Sequence, residues 1–152
     1  MKNNLDYYSH DANAHNHPKF KLLRLTYGWS GEGRFWALNN IIANSDQCLL
    51  NLNKKYVEAC VAEDLNLTLE EFREFINFLT KEAELLINLD GTISTEIVRN
   101  TYKEVAHERV KARERKLKSS SGELSESSAK LTLFRANSWT KKERKKKNKS
   151  FK

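Results

Sequence analysis

Residues 68–94 read TLEEFREFINFLTKEAELLINLDGTIS, and this stretch decides the fold. It opens with Thr68-Leu69-Glu70-Glu71, the pattern of a capping box. In that motif the hydroxyl caps an orphan backbone N–H and the glutamate reaches back to the cap's own N–H. Leu69, Phe72, Phe75, Ile76 and Leu79 then recur at helical spacing, which predicts one apolar face on a helix from Leu69 to Lys81. Leu85-Leu86-Ile87-Asn88-Leu89 and Thr92-Ile93-Ser94 flank Asp90-Gly91. A type I′ turn needs positive φ at both central residues, so this dipeptide predicts a two-residue hairpin.

Working outward, Phe20, Leu23 and Tyr27 predict a helix that stops at Gly28 in a left-handed conformation. Ser30 to Gly33 restarts the chain into a second helix with Phe35, Leu38, Ile41 and Ile42 on one stripe. Cys48 to Leu52 is a short apolar run that reads as a strand, and Lys54 to Leu65 as a further helix. The resulting order is helix, strand, helix, helix, strand, hairpin, strand, behind one leading helix. That is mainly α with a small β wing. It is the order of a winged helix-turn-helix with an extra N-terminal helix and a long basic C-terminal helix, the alternative being a generic small helical domain with a hairpin.

The segment Tyr8-Ser9-His10-Asp11-Ala12-Asn13-Ala14, then Pro18-Lys19, then Tyr27-Gly28-x-x-Gly31-x-Gly33-x-Phe35-Trp36-x-Leu38, adds a more specific signal. Over about residues 5–115 it resembles the N-terminal winged-helix domain of phage replisome-organiser and DnaD-like primosomal proteins. His10, Asp11, Asn13, Tyr27, Gly28, Gly31, Gly33 and Trp36 carry the resemblance, whereas His17 and Glu32 stand where that pattern has an acidic residue and an aromatic. The resemblance implies a part in phage or mobile-element DNA replication, with DNA and a replicative helicase or helicase loader as partners. No helicase-contacting domain of the DnaD type is expected, because the chain runs on into a charged tail.

The 152 residues carry 27 Lys+Arg and 20 Asp+Glu, for a net charge of +7. Residues 1–98 hold 9 Lys+Arg and 14 Asp+Glu, a net of −5; residues 99–152 hold 18 and 6, a net of +12. An acidic body therefore precedes a basic arm. The expected organisation is a winged-helix domain at 1–106, a basic helical extension at 107–118, a disordered Ser/Glu linker at 119–128, and a basic tail at 129–152. That tail holds the apolar residues Leu131, Leu133, Phe134 and Trp139, which either dock back on the domain, bind a partner, or stack on a base. No stretch has the apolar length of a membrane span or a signal peptide. Two cysteines, Cys48 and Cys60, are too few for a disulfide scaffold and suit a reducing cytosol, here that of a bacterial host cell.

Candidate chemistry is sparse. His10, Asp11, His15 and His17 crowd together, but metal sites usually draw ligands from separate elements, so no metal is expected. Asp11 and Asn13 are instead expected to shape the entry to the first helix, with His10 as a structural hydrogen-bonding residue. The three glycines lack the Gly-Lys-Ser/Thr or the preceding strand that a phosphate cradle needs. No catalytic arrangement is recoverable, so neither an enzyme, a cofactor nor a small-molecule ligand is expected.

The outer face of the Leu69–Lys81 helix presents Glu70, Arg73, Glu74, Asn77 and Lys81. Arg73, Asn77 and Lys81 form a possible recognition face, although clustered carboxylates oppose a phosphate backbone. The stronger nucleic-acid candidates are Arg109, Lys111, Arg113, Arg115, Lys116 and Lys118, followed by Lys141, Lys142, Arg144, Lys145, Lys146 and Lys147. Such cations neutralise phosphates without reading sequence. The competing expectation is a protein–protein adaptor, in which the acidic domain docks a partner and the tail only keeps the complex soluble.

Overall fold

His17 sets the first long helix. Its backbone is extended and its Nδ1 accepts from the Lys19 N–H at 3.3 Å, while Pro18 supplies a fixed φ at the first helical position. In the computed structural model, which describes residues 2–120, helix α1 runs Pro18–Asn44 behind a single 3₁₀ turn at Ala14–Asn16. It is broken at Gly28, where φ is 73° and ψ −171°. That conformation is nearly closed to residues with a Cβ. The predicted stop at Gly28 and restart beyond it are thus two arms of one bent helix.

A 3₁₀ turn at Asp46–Cys48 leads to β1, Leu50–Asn51. The predicted strand over Cys48–Leu52 is shorter because Gln47 and Cys48 both have φ near 55°. Helix α2 spans Lys55–Asp64 and α3 spans Leu69–Lys81. Both bonds of the capping box are present: the Glu71 N–H donates to Thr68 Oγ1, and the Thr68 N–H donates to the Glu71 carboxylate. Strands β2, Ile87–Leu89, and β3, Thr92–Ser94, follow, and Asp90 and Gly91 take φ of 55° and 86° as the hairpin requires. Helix α4 spans Glu96–Ser119.

The molecule is mainly helical with a small antiparallel sheet of three strands in the order β1-β3-β2. Leu50 pairs with Ile93, and Ile87 and Leu89 pair with Ser94 and Thr92. Leu23, Phe35, Leu38 and Ile42 of α1 are fully buried, as are Phe72, Phe75 and Leu79 of α3, Ile93 of β3 and Val98 of α4. At ~1.5–3 kcal/mol per large side chain, burying these apolar stripes is the main drive to fold.

Polar bonds fix the joints. Asn39, fully buried in α1, donates to the Phe35 carbonyl, while its Oδ1 accepts from the Thr95 hydroxyl at 2.5 Å. Thr95 Oγ1 in turn accepts from the Val98 N–H, which places it as the cap of α4. Asn53 Nδ2 donates to the Asp90 carbonyl and the Leu52 N–H donates to the Gly91 carbonyl, tying the loop after β1 to the hairpin.

The chain divides into two compact units between Tyr102 and Lys103. In the second, Lys111, Arg115, Lys116 and Lys118 are exposed, and Arg109 and Arg113 are half-buried. Along α4 Tyr102, Ala106 and Val110 are buried, whereas Val105 is half-buried. Among the described residues no helix is long and apolar enough to cross a membrane.

Candidate nucleic-acid interface

Arg73, Asn77 and Lys81 lie on α3 at a spacing of four, so they share one face. They line a groove of about 500 Å³ between α3 and the β2–β3 hairpin, with Leu52, Phe72 and Ile76 also on its walls. The three residues therefore share one surface. Its chemistry differs from what the residue types suggest, because the Arg73 guanidinium is engaged. Nε and Nη2 donate to the two Glu58 carboxylate oxygens at 2.7 and 3.1 Å, a bidentate pair between α3 and α2. Glu58 is 15% exposed and Arg73 56%. The guanidinium holds the Glu58 carboxyl below the usual carboxylate range, the hydrogen bond being the main cause. With its Nε–Nη2 edge on Glu58, Arg73 offers a base edge or phosphate only its remaining N–H groups and a charge that is already countered.

Sequence inspection missed this pair because Glu58 lies fifteen residues earlier, on another helix. Glu70 and Glu74 are exposed on α3 beside Arg73, and Glu71 is held ionised by the Thr68 backbone N–H. Glu74 and Glu82, after burial itself, also push the Tyr27 hydroxyl upward. The face is crowded with negative charge.

The cations of α4 stand in a different setting. From Arg109 to Lys118 six Lys and Arg face one acid within the run, Glu114, and Glu108 just before it pairs with Lys111 at 3.4 Å. Lys111, Arg115, Lys116 and Lys118 are exposed to solvent. Lys141, Lys142, Arg144, Lys145, Lys146 and Lys147, the Ser/Glu linker beyond Ser120 and the apolar residues 131–139 lie outside the described residues.

The motif residues of the N-terminal segment converge on Trp36. Tyr8 stacks parallel to its indole at 6.5 Å and Phe20 at 5.5 Å, while the His10 ring sits 3.9 Å from it. His10 is therefore placed by ring packing rather than by the hydrogen bond expected of it. Asp11 Oδ1 accepts from the Asn13 N–H at 2.9 Å, the local turn expected of these two residues. The glycines divide by cause. Gly28 supplies the break, and at Gly31 a Cβ would come within 2.4 Å of Tyr27 Cβ. Tyr27 is packed edge-on against Phe75 and Phe78 of α3, so Gly31 keeps clear the place of a ring that joins α1 to α3. Gly33 has open space around it.

Glu32, where the motif pattern has an aromatic, is buried. Its Oε2 accepts from Arg24 Nη1 at 2.7 Å across the Gly28 break. Arg24 Nη2 also donates to the His15 carbonyl at 2.6 Å, and the guanidinium lies 4.7 Å from the Trp29 ring centroid. No sequence pattern announces a pair eight residues apart. Among the described residues no group of three or more His, Cys, Asp or Glu could hold a metal ion.

The family model described as Lin1244/Lin1753-like, N-terminal, matches residues 7–89, which take in the aromatic cluster, α1 to α3 and β2. No curated protein and no solved structure matches the chain. The chain belongs to the Lin1244/Lin1753-like family through this N-terminal domain.

Proposed function

We propose that this family member is a DNA-binding accessory protein of phage or mobile-element DNA replication, of the replisome-organiser type. In this reading it is not an enzyme. It works in the cytoplasm of a bacterial host and holds DNA without sequence preference through the basic segments from Arg109 onward. The domain is a winged helix related to the DnaD-like primosomal proteins, with β2 and β3 as its wing. The order α1, β1, α2, α3, β2, β3 and the antiparallel β1-β3-β2 sheet support that assignment. The motif around Tyr8–Asn13 and Tyr27–Trp36 supports the relationship.

The observation that carries the reading is the contrast between two sets of cations. Arg73, the arginine on α3, is paired bidentately with Glu58, whereas Arg115, Lys116 and Lys118 are exposed on α4 with no carboxylate pair among the described residues, and Lys111 meets Glu108 only at 3.4 Å. Phosphate neutralisation releases counterions and rewards exposed cations on a helix. Direct base reading needs free donors in the groove, and the flanking Glu70 and Glu74 oppose the approach of phosphates. The acidic α3 surface and its groove favour a second reading, in which the domain docks a protein such as a replicative helicase or its loader.

A salt titration of duplex binding tests the proposal. Replacing Arg109, Lys111, Arg113, Arg115, Lys116 and Lys118 together by Gln removes six cations. The slope of log K against log salt then falls by up to roughly five, at ~0.9 for each phosphate no longer neutralised. An unchanged slope rejects the arm as the DNA-binding element. Failure of both proteins to bind DNA at low salt leaves the adaptor reading.

A further inference from the structure

Ala106 and Ala112 stand on the same helix and fare oppositely: Ala106 is 5% exposed, whereas Ala112 is open to solvent. Both lie well inside α4, whose own backbone shields each alike, so the difference needs a cover on one side only. Val110, 4% exposed, lies one turn beyond Ala106 on that side. At about 100° per residue Tyr102, Ala106, Arg109, Val110, Arg113 and Leu117 fall within an arc of roughly 100°, and all six are buried or half-buried. Of the other residues from Lys103 to Lys118, all are exposed except Lys103 and Val105 at the margins of that arc. Arg109, beside Val110, is engaged as well. The stripe is therefore not the solvated face of a lone helix.

We propose that this chain's own segment from Leu131 to Trp139 docks on the Ala106–Val110 stripe of α4 and covers it. Val110 belongs to the compact unit that begins at Lys103, and the described part of that unit is α4 with Ser120 after it. A helix does not cover its own side, which leaves residues 121–152 as the source of the cover. Those residues hold six large apolar side chains, of which Leu131, Leu133, Phe134 and Trp139 stand together while Leu124 and Phe151 stand apart. The reach fits too. Leu131 follows Ser120 by eleven positions. A flexible chain of that length spans about 18 Å, and Val110 lies about 14 Å back along α4 from its end. A second copy or a foreign protein must compete with a segment tethered at an effective concentration on the order of millimolar. The docked segment also carries Lys141, two positions after Trp139, to the helix whose far side exposes Lys111, Arg115 and Lys118. The two basic runs then act as one surface, although the docking itself does not depend on DNA.

Maleimide labelling of the full chain, without DNA and in a Cys60→Ser background, tests this. Val110→Cys and Ala112→Cys each place one reporter thiol on α4, and digestion with mass spectrometry reads it apart from Cys48. With residues 131–139 intact, Val110→Cys reacts at least about tenfold more slowly than Ala112→Cys, because labelling waits for the segment to lift. The ratio is the same at about 1 and 100 µM protein, as an intramolecular contact requires. Adding Leu131→Ser and Phe134→Ser brings Val110→Cys to within about twofold of Ala112→Cys and leaves Ala112→Cys unchanged. Cys48 is fully buried and stays unlabelled throughout, which separates undocking from unfolding. Should the serine pair open Cys48, the milder singles Leu131→Ala and Phe134→Ala decide, each raising the Val110→Cys rate in part. Equal rates for Val110→Cys and Ala112→Cys before any change in the segment overturn the proposal, as does protection that survives the changes at Leu131 and Phe134. Protection that grows with protein concentration assigns the stripe to a second copy and overturns it equally.

Discussion

Arg24 Nη1 stands 2.7 Å from Glu32 Oε2, joining the two arms of α1 on either side of Gly28. In an unbroken helix two residues eight apart are separated by about 12 Å along the axis, so the contact belongs to the bent form. Both side chains are largely buried. Glu32→Ala leaves a guanidinium without its counter-charge and destabilises the domain by about 3–5 kcal/mol. Replacing both partners by apolar residues, Arg24→Met with Glu32→Leu, recovers most of that loss. Urea unfolding of Arg24→Met, Glu32→Leu and the double measures the coupling.

Two glycines five residues apart respond with opposite sign. Gly28 holds φ at 73° and ψ at −171°, so Gly28→Ala destabilises by about 1–3 kcal/mol although nothing crowds its Cβ. Gly33 lies inside the second arm of α1 with open space around it, so Gly33→Ala gains about 0.5–1 kcal/mol in helix propensity. Thermal melts of both variants give the two signs.

Glu58 contributes to the acid limb of stability. Its folded-state pKa lies below its unfolded value because Arg73 donates to it. Such a carboxylate stabilises the fold above its unfolded pKa, and the contribution disappears as pH falls through the folded one. Glu58→Gln therefore melts below the parent at neutral pH, and the gap closes in acid below the ordinary carboxylate range. Arg73 is more than half exposed, so the gap also narrows as salt is raised. The depressed Glu71 carboxyl is common to both proteins and cancels in the comparison.

Alanine at Asn77 and Lys81 distinguishes the two surfaces. If α4 holds DNA, the double variant binds duplexes within about twofold of the parent, with a salt slope reduced by no more than about one. Fluorescence anisotropy against two unrelated duplexes is the measurement. A selective loss on one of them moves recognition to α3.

Much of the chain's architecture is legible locally. Thr68 and Glu71 satisfy each other over three residues, Asp90-Gly91 needs no distant partner to turn, and Gly28 breaks α1 by its own backbone freedom. What escapes reading is pairing between elements. Arg73 looks available until Glu58 of α2 is brought to it, and Glu32 looks exposed until the bend carries it to Arg24. Asn39 reads as an ordinary helix amide, yet it is fully buried against Thr95, fifty-six residues on. Val110 sits among cations and is nevertheless buried, because periodicity does not reveal which side of a charged helix is covered.

The Ser9 N–H donates to Thr101 Oγ1 at 3.0 Å, a bond spanning ninety-two residues of sequence. During synthesis the segment around Ser9 therefore waits for residues made much later. Leu5 and Tyr8 have their partners once Ala43 and Asn40 are out, but the strand of chain around Ser9 is fastened last. At roughly 5–20 residues per second, translation from Ser9 to Thr101 takes about 5–20 s. For that interval the segment around Ser9 is open to proteases and chaperones, and it is fastened beside the aromatic cluster at Trp36 only when the head of α4 has left the ribosome.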